Sequence, residues 1–106
     1  MAKRVGARVR ALREEQGLTL EKLAYESDVG SKGFLSDIEK GLARPTLATL
    51  AALAERLEVA LLDLVTFPAD DERQALVDRS RSAAPELLRK WLKESRVAPV
   101  RRTTQR

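Results

Sequence analysis

Through the first 66 residues, apolar side chains recur at helical spacing in short bursts, and a glycine or a capping residue separates each burst from the next. Val5, Val9 and Leu12 define a first helix from about Lys3 to Gln16, stopped by Gly17. Thr19 can cap a second, with Glu21 in its first turn and Leu20, Leu23 and Ala24 turned inward, ending near Ser27-Asp28. Ser31 caps a third, Lys32 to Lys40, whose inward pair is Leu35 and Ile38 and whose C′ stop is Gly41. Arg44-Pro45-Thr46 leads in extended form into a fourth helix, Leu47 to Leu57, carrying Leu47, Leu50, Leu53 and Leu57. A short fifth covers roughly Ala60 to Val65. Helices this short must share one small core, and a core of that size is marginal.

Composition agrees with the periodicity. There are 17 Leu and 15 Ala against nine Val plus Ile and four aromatic residues, too little strand-building material for a sheet. The fold class expected is all-α. Phe67-Pro68 marks a boundary, after which Asp70 caps an acidic helix start followed by Ala75, Leu76 and Val77. Pro85 suits the first position of a last helix ending near Ser95. From Val97 on there is no periodicity, and a mobile basic tail is expected. The division is therefore 1–66 for the core domain, 67–96 for a helical extension and 97–106 for the tail.

Absences narrow the chemistry. With neither Cys nor His there are no disulfides, thiolate or imidazole metal sites, or Ser-His-Asp triads. The carboxylate pairs Glu14-Glu15 and Asp70-Asp71 are neighbours in sequence rather than convergent in a cleft, so they read as helix-end charge and not as an enzyme's acid and base. No metal and no cofactor are expected. The start Met1-Ala2-Lys3-Arg4 has no apolar leader core, and no run is long enough to span a membrane; a cytoplasmic protein with no membrane partner is the expectation. Net charge is +4, and its distribution matters more than its sum. Residues 1–66 hold ten cations and ten carboxylates, so the whole excess lies in 67–106. That balance fits an anionic partner such as nucleic acid, and it fits a merely solvated basic tail equally well.

Helices two and three, short and joined by Asp28-Val29-Gly30, have the layout of a helix-turn-helix, in which the second helix enters the major groove. Spacing alone also fits two ordinary packed helices. The longer string is more specific. Val9-Arg10-Ala11-Leu12-Arg13-Glu14, Gly17-Leu18-Thr19-Leu20-Glu21-Lys22-Leu23-Ala24, Leu35-Ser36-Asp37-Ile38-Glu39-Lys40-Gly41, Pro45-Thr46-Leu47-Ala48-Thr49-Leu50 and Leu57-Glu58-Val59-Ala60-Leu61-Leu62-Asp63-Leu64 occur in that order. Together they resemble the Cro/CI-type (XRE-type) DNA-binding domains of bacterial and phage repressors. The resemblance implies a five-helix, lambda-repressor-like DNA-binding domain, here with a C-terminal two-helix extension, that binds double-stranded operator DNA as a homodimer. Two departures from the family pattern stand out: one extra residue between Ala24 and Glu39, and Leu20 where many members place a Gln that touches a phosphate.

Carried over by position, the resemblance marks Lys32 and Gly33 as base-facing. Lys can donate to guanine O6 and N7, and Gly33 permits close approach to the duplex. Thr19 and Ser31 sit at helix N-termini, as plain caps or as phosphate contacts as well. Ser36 and Asp37 face the groove, Asp37 either accepting from cytosine N4 or pairing along the helix with Lys40 or with neighbours on the Lys32 side. Phe34 is half core and half a contact for a thymine methyl. Lys40 and Arg44 match phosphate-contacting positions, which set register and affinity without reading sequence. Arg13 and Glu39 match a partly buried ion pair that joins helices one and three.

In the extension, Leu87, Leu88, Trp91 and Leu92 form too narrow and apolar a stripe for an exposed helix. It packs back on the domain or onto a second subunit, and a stripe holding the only Trp suits a dimer interface. The expected function is a sequence-specific transcriptional regulator acting as a homodimer on a near-palindromic operator. The competing class is a protein-interaction helix-turn-helix, antitoxin-like or coactivator-bridging, whose extension binds a partner protein.

Overall fold

Apolar side chains from five short helices close a single core. The computed structural model describes residues 1–95, and among these the chain is entirely helical. The core helices are α1 (Ala2–Glu15), α2 (Leu20–Ser27), α3 (Lys32–Lys40), α4 (Leu47–Leu57) and α5 (Leu61–Leu64); α6 (Glu72–Arg81) and α7 (Pro85–Ser95) follow. Val5, Val9, Leu12, Leu23, Leu35, Leu53, Leu57 and Leu64 are buried in one cluster, with Leu18, Leu20, Leu50 and Phe67 packed around it. Each such leucine contributes about 1.5–3 kcal/mol by leaving water.

Glycines decide two features. Gly6 lets α1 cross α3 at backbone distance: a Cβ there would stand 2.8 Å from the Glu39 carbonyl oxygen and closer still to that of Ile38. The turn between α2 and α3 uses two left-handed positions, Asp28 at φ 56° and Gly30 at φ 112°, with Val29 half-buried between them. Two such reversals accommodate Asp28-Val29-Gly30 without unwinding either helix.

Several boundaries differ from the sequence reading. α1 begins at Ala2 and ends at Glu15, Gln16 being its C-cap. α5 is a single turn, with Ala60 and Val65 as its caps, and the Asp63 carboxylate accepts from the Ala60 N–H at 2.8 Å. Leu47 points outward, 70% exposed, because it precedes the turn at which α4 meets the core. Asp71 rather than Asp70 caps α6. Only Asp71 has the extended backbone and the spacing to accept from the Gln74 N–H, at 2.8 Å, whereas Asp70 is drawn to Arg4.

α6 has no buried residue, since Ala75, Leu76 and Val77 are consecutive and wrap around the helix instead of forming a stripe. Polar side chains fasten it to α1 instead. Arg8 donates to the Asp63 carbonyl at 2.7 Å and to Asp78 at 2.6 Å. Arg81 bridges Asp78, at 3.3 Å, and Glu15, at 3.0 Å. Arg4 pairs with Asp70 and stacks 4.1 Å from the Phe67 ring centroid. α7 likewise buries nothing fully. Leu88 and Trp91 are half-buried, Leu87 and Leu92 are exposed, and the Arg79 guanidinium lies 6.0 Å from the Trp91 ring. The tail 97–106, with the cations Arg101, Arg102 and Arg106, lies outside the described residues, as does Arg96.

Candidate nucleic-acid interface

Side-chain caps fix both helices of the motif. Thr19 Oγ1 accepts from the Lys22 N–H at 3.0 Å, and Ser31 Oγ accepts from the Phe34 N–H at 3.1 Å. Both hydroxyls lie at the protein surface, so each caps its helix while the neighbouring first-turn N–H groups face solvent. At the other end of α3, Gly41 takes φ 77° and the Asp37 carbonyl accepts from the Leu42 N–H at 2.8 Å, closing the helix.

The 3.6-residue period then sorts α3 into two sides. Leu35, Ile38 and Glu39 are buried, while Gly33, Asp37 and Lys40 are exposed on the opposite side and Ser36 is half-exposed at its edge; Lys32, closer in azimuth to Leu35 and Glu39, is exposed because it opens the first turn. Phe34, 37% exposed, stands at the margin between core and surface. The Lys32 ammonium is only loosely held, 3.8 Å from Glu21 with both side chains more than half exposed. Such a pair is worth at most about 1 kcal/mol and yields readily to a base edge or a phosphate. Asp37 has no ion-pair partner among the described residues, so the intrahelical pairing with Lys40 that the spacing allowed is absent. A Cβ on Gly33 would meet only Ser31 Oγ, at 3.8 Å. Nothing inside the protein therefore requires glycine there.

Arg13 and Glu39 hold this face against α1. Arg13 Nε donates to one Glu39 oxygen at 2.7 Å and Nη2 to the other at 3.1 Å, while Nη1 donates to the Leu18 carbonyl at 2.7 Å. The side chains are 10% and 5% exposed. The hydrogen bonds that Arg13 donates to Glu39, against the penalty of burial, hold the guanidinium above its ordinary pKa. Lys40, the last residue of α3, and Arg44, beyond its end, are both exposed. Leu20 is half-buried against the core, so the position carries packing here in place of a polar contact.

Sequence reasoning did not find the Arg8, Asp63, Asp78, Arg81 and Glu15 cluster that seats the extension. These residues are spread over more than 70 positions and follow no periodicity, so no local signal marks them. Nor did it find the role of Gly6, which shows only when α1 and α3 are superposed in space.

A capped helix pair with one polar, accessible helix face, seated on a neutral bundle, has the layout of a helix-turn-helix domain. Residues 4–67 match the family described as "Helix-turn-helix domain". The chain belongs to that family, in its XRE-type branch, a non-enzymatic DNA-binding class. It is 42% identical over 71 residues, 67% of this chain and 90% of the relative, to an uncharacterized HTH-type transcriptional regulator, y4dJ, of Sinorhizobium fredii. Among solved structures it resembles the clp gene regulator ClgR of Corynebacterium glutamicum, with TM-score 0.59 and 29% identity, over 90% of this chain and 93% of that one. It also resembles a chain of the SinR protein/SinI protein complex, with TM-score 0.61 and 25% identity, over 86% of this chain and 93% of that one. Among the described residues no helix is long and apolar enough to cross a membrane.

Proposed function

We propose that this chain is a cytoplasmic, sequence-specific transcriptional regulator that binds a near-palindromic operator in duplex DNA as a homodimer. The observation that carries the reading is the accessible face of α3. Lys32, Gly33, Ser36 and Asp37 lie together on it, clear of the core, between the Ser31 cap and the Gly41 turn. Lys32 donates to a guanine edge, Gly33 lets the helix backbone approach, and Ser36 and Asp37 reach the neighbouring base edges. Thr19, Ser31, Lys40 and Arg44 contact phosphates and set the register.

Residues 67–96 form the dimerisation extension of the 1–66 domain. Leu87, Leu88, Trp91 and Leu92 are on α7, and the chain's own core covers none of them fully. Leu87 and Leu92, exposed in the monomer, supply at most about 1.5–3 kcal/mol apiece from each subunit, and the half-buried Leu88 and Trp91 correspondingly less, before association costs. That suffices for a micromolar or tighter dimer. The similarity to ClgR, which runs through the extension, supports an ordered role for it. Twofold symmetry then sets two α3 helices about 34–36 Å apart on one face of the duplex.

Selection of bound sequences from random duplexes at moderate salt tests the reading, and a near-palindromic consensus is the expected result. Lys32→Ala should weaken the selected site by about 1–3 kcal/mol and relax one base pair per half-site. A Leu88→Ala, Trp91→Ala variant should remain helical, sediment as a monomer and lose operator affinity. No sequence preference at all would sink the DNA-reading role and favour an antitoxin-like or coactivator-bridging protein-interaction module. A double variant that stays dimeric would place the interface elsewhere.

A further inference from the structure

Residues 1–66 are neutral overall, but their cations are not disposed evenly. Arg4, Arg8, Arg10, Arg13, Lys32 and Arg56 each face a carboxylate. The cations of that stretch with no such partner among the described residues are Lys3, Lys22, Lys40 and Arg44. Lys22 rises from the first turn of α2. The other three are grouped about one feature, the Gly41 turn that ends α3.

Gly41 does more there than stop a helix. A Cβ at this position would fall 2.6 Å from the Lys3 Cα and 2.9 Å from its Cβ, so the start of α1 lies directly against the turn. A groove of about 600 Å³ opens at the contact, lined by the first residues of α1 and by Gly41, Arg44, Pro45 and Leu50. No carboxylate lines it. Arg4, the next cation along α1, is turned away to Asp70 and Phe67, and Asp37 lies a helical turn back along α3. The groove is thus locally cationic on a domain whose total charge is zero.

We propose that Lys3, facing this groove with Arg44 and beside Lys40, holds a backbone phosphate of duplex DNA, so that the DNA-contacting surface runs from the helix-turn-helix onto α1. The inference rests on the DNA-binding reading above and extends it to a helix outside the motif. Dimensions favour a phosphate at this place. When the first residues of α3 meet base edges, its last turn is about 13 Å further on. The major groove is about 12 Å wide, so the Gly41 turn arrives at the bordering sugar-phosphate backbone. There a compact group of cations displaces condensed counterions, which strengthens binding without reading sequence.

The experiment uses the full chain, its selected operator and an unrelated duplex of equal length, with dissociation constants measured from about 50 to 200 mM salt. Lys3→Gln should weaken both duplexes by the same factor. One lost phosphate contact lowers the salt slope by about 0.9, so over that range the variant should lose about 3.5-fold less affinity than the parent. Lys3→Arg should restore the slope, and Arg73→Gln, which removes a cation on α6, should leave it unchanged. A Lys3→Gln slope equal to the parent's, while Lys40→Gln lowers it, would overturn the proposal and leave the DNA-binding reading standing. So would a loss confined to one base pair of the operator, since that marks a base contact. Failure of the parent chain to bind either duplex would remove both readings together.

Discussion

Glu39→Ala should be among the most damaging single changes available in this chain, although Glu39 is neither apolar nor part of the proposed DNA contact. The substitution removes two charge-assisted hydrogen bonds, at 2.7 and 3.1 Å, from a side chain only 10% exposed, and leaves the Arg13 guanidinium with the Leu18 carbonyl as its one hydrogen-bond acceptor and the exposed Glu14 carboxylate 3.9 Å away. Stranding one member of a buried pair costs about 3–5 kcal/mol. Small domains are stable by only about 5–15 kcal/mol. At about 4–8 °C per kcal/mol for a domain of this size, the melting temperature should fall by at least about 12 °C. Arg13→Met should be comparably destabilising, because it strands the carboxylate instead. The double change Arg13→Met, Glu39→Leu should recover most of the loss, since apolar groups of similar volume replace a buried pair at little net cost. Thermal melts followed by circular dichroism, with Arg10→Ala as the exposed-pair control, measure all four. Single variants no worse than Arg10→Ala would refute the reasoning, and so would a double variant as unstable as the sum of the singles.

Gly6→Ala should destabilise by about 1–3 kcal/mol or more, because the added methyl meets the Ile38 and Glu39 carbonyl oxygens and pushes α1 off α3; denaturant unfolding measures this, and a neutral effect would contradict the close crossing. Gly33→Ala should do the opposite to the free protein, stabilising it by at most about 0.5–1 kcal/mol at this first-turn position, since the methyl meets only the Ser31 hydroxyl at ordinary contact distance. If close approach to DNA is the reason for Gly33, the same variant should bind the operator more weakly, and undiminished binding would dismiss that reason. Asp78 supplies a pH signature. The hydrogen bond from Arg8, opposed by burial and aided by the charges of Arg8 and Arg81, holds its carboxyl below the usual carboxylate range. A depressed folded pKa stabilises fully above the unfolded value of about 3.9, and the contribution is lost as pH falls through the folded value. Acidification below about pH 4 should therefore loosen α6 from α1. Asp78→Asn should flatten this part of the stability–pH profile, and an unchanged profile would mean that Asp78 does not seat the extension.

Local rules make much of this protein legible in its sequence. Capping residues, glycine stops and leucine spacing mark α2, α3 and α4 because each acts within one or two turns of its own helix. Thr19, Ser31 and Gly41 occupy the cap positions read from the sequence. The same period separates Leu35 and Ile38 from Gly33, Asp37 and Lys40, and so identifies the accessible face. Short-range signals fail where two candidates are adjacent or where packing decides. Asp70 and Asp71 are equivalent as letters, and only the backbone at Asp71 together with the pull of Arg4 on Asp70 separates them. Leu47 carries the helical period of α4 yet projects into solvent, because burial depends on where neighbouring helices end.

What the sequence determined by itself is the set of helices, their caps and the polar face of α3, since all of these follow from interactions among residues a few positions apart. The seating of those helices on one another was decided by tertiary structure. Gly6 against the Ile38 carbonyl, Lys3 against Gly41, and Arg8 reaching both Asp63 and Asp78 join residues 32 to 70 positions apart. Such contacts are close approaches or charge-assisted hydrogen bonds between side chains that fit a solvated surface equally well. They leave no periodic trace, and come into being only when the apolar core has brought the backbones together.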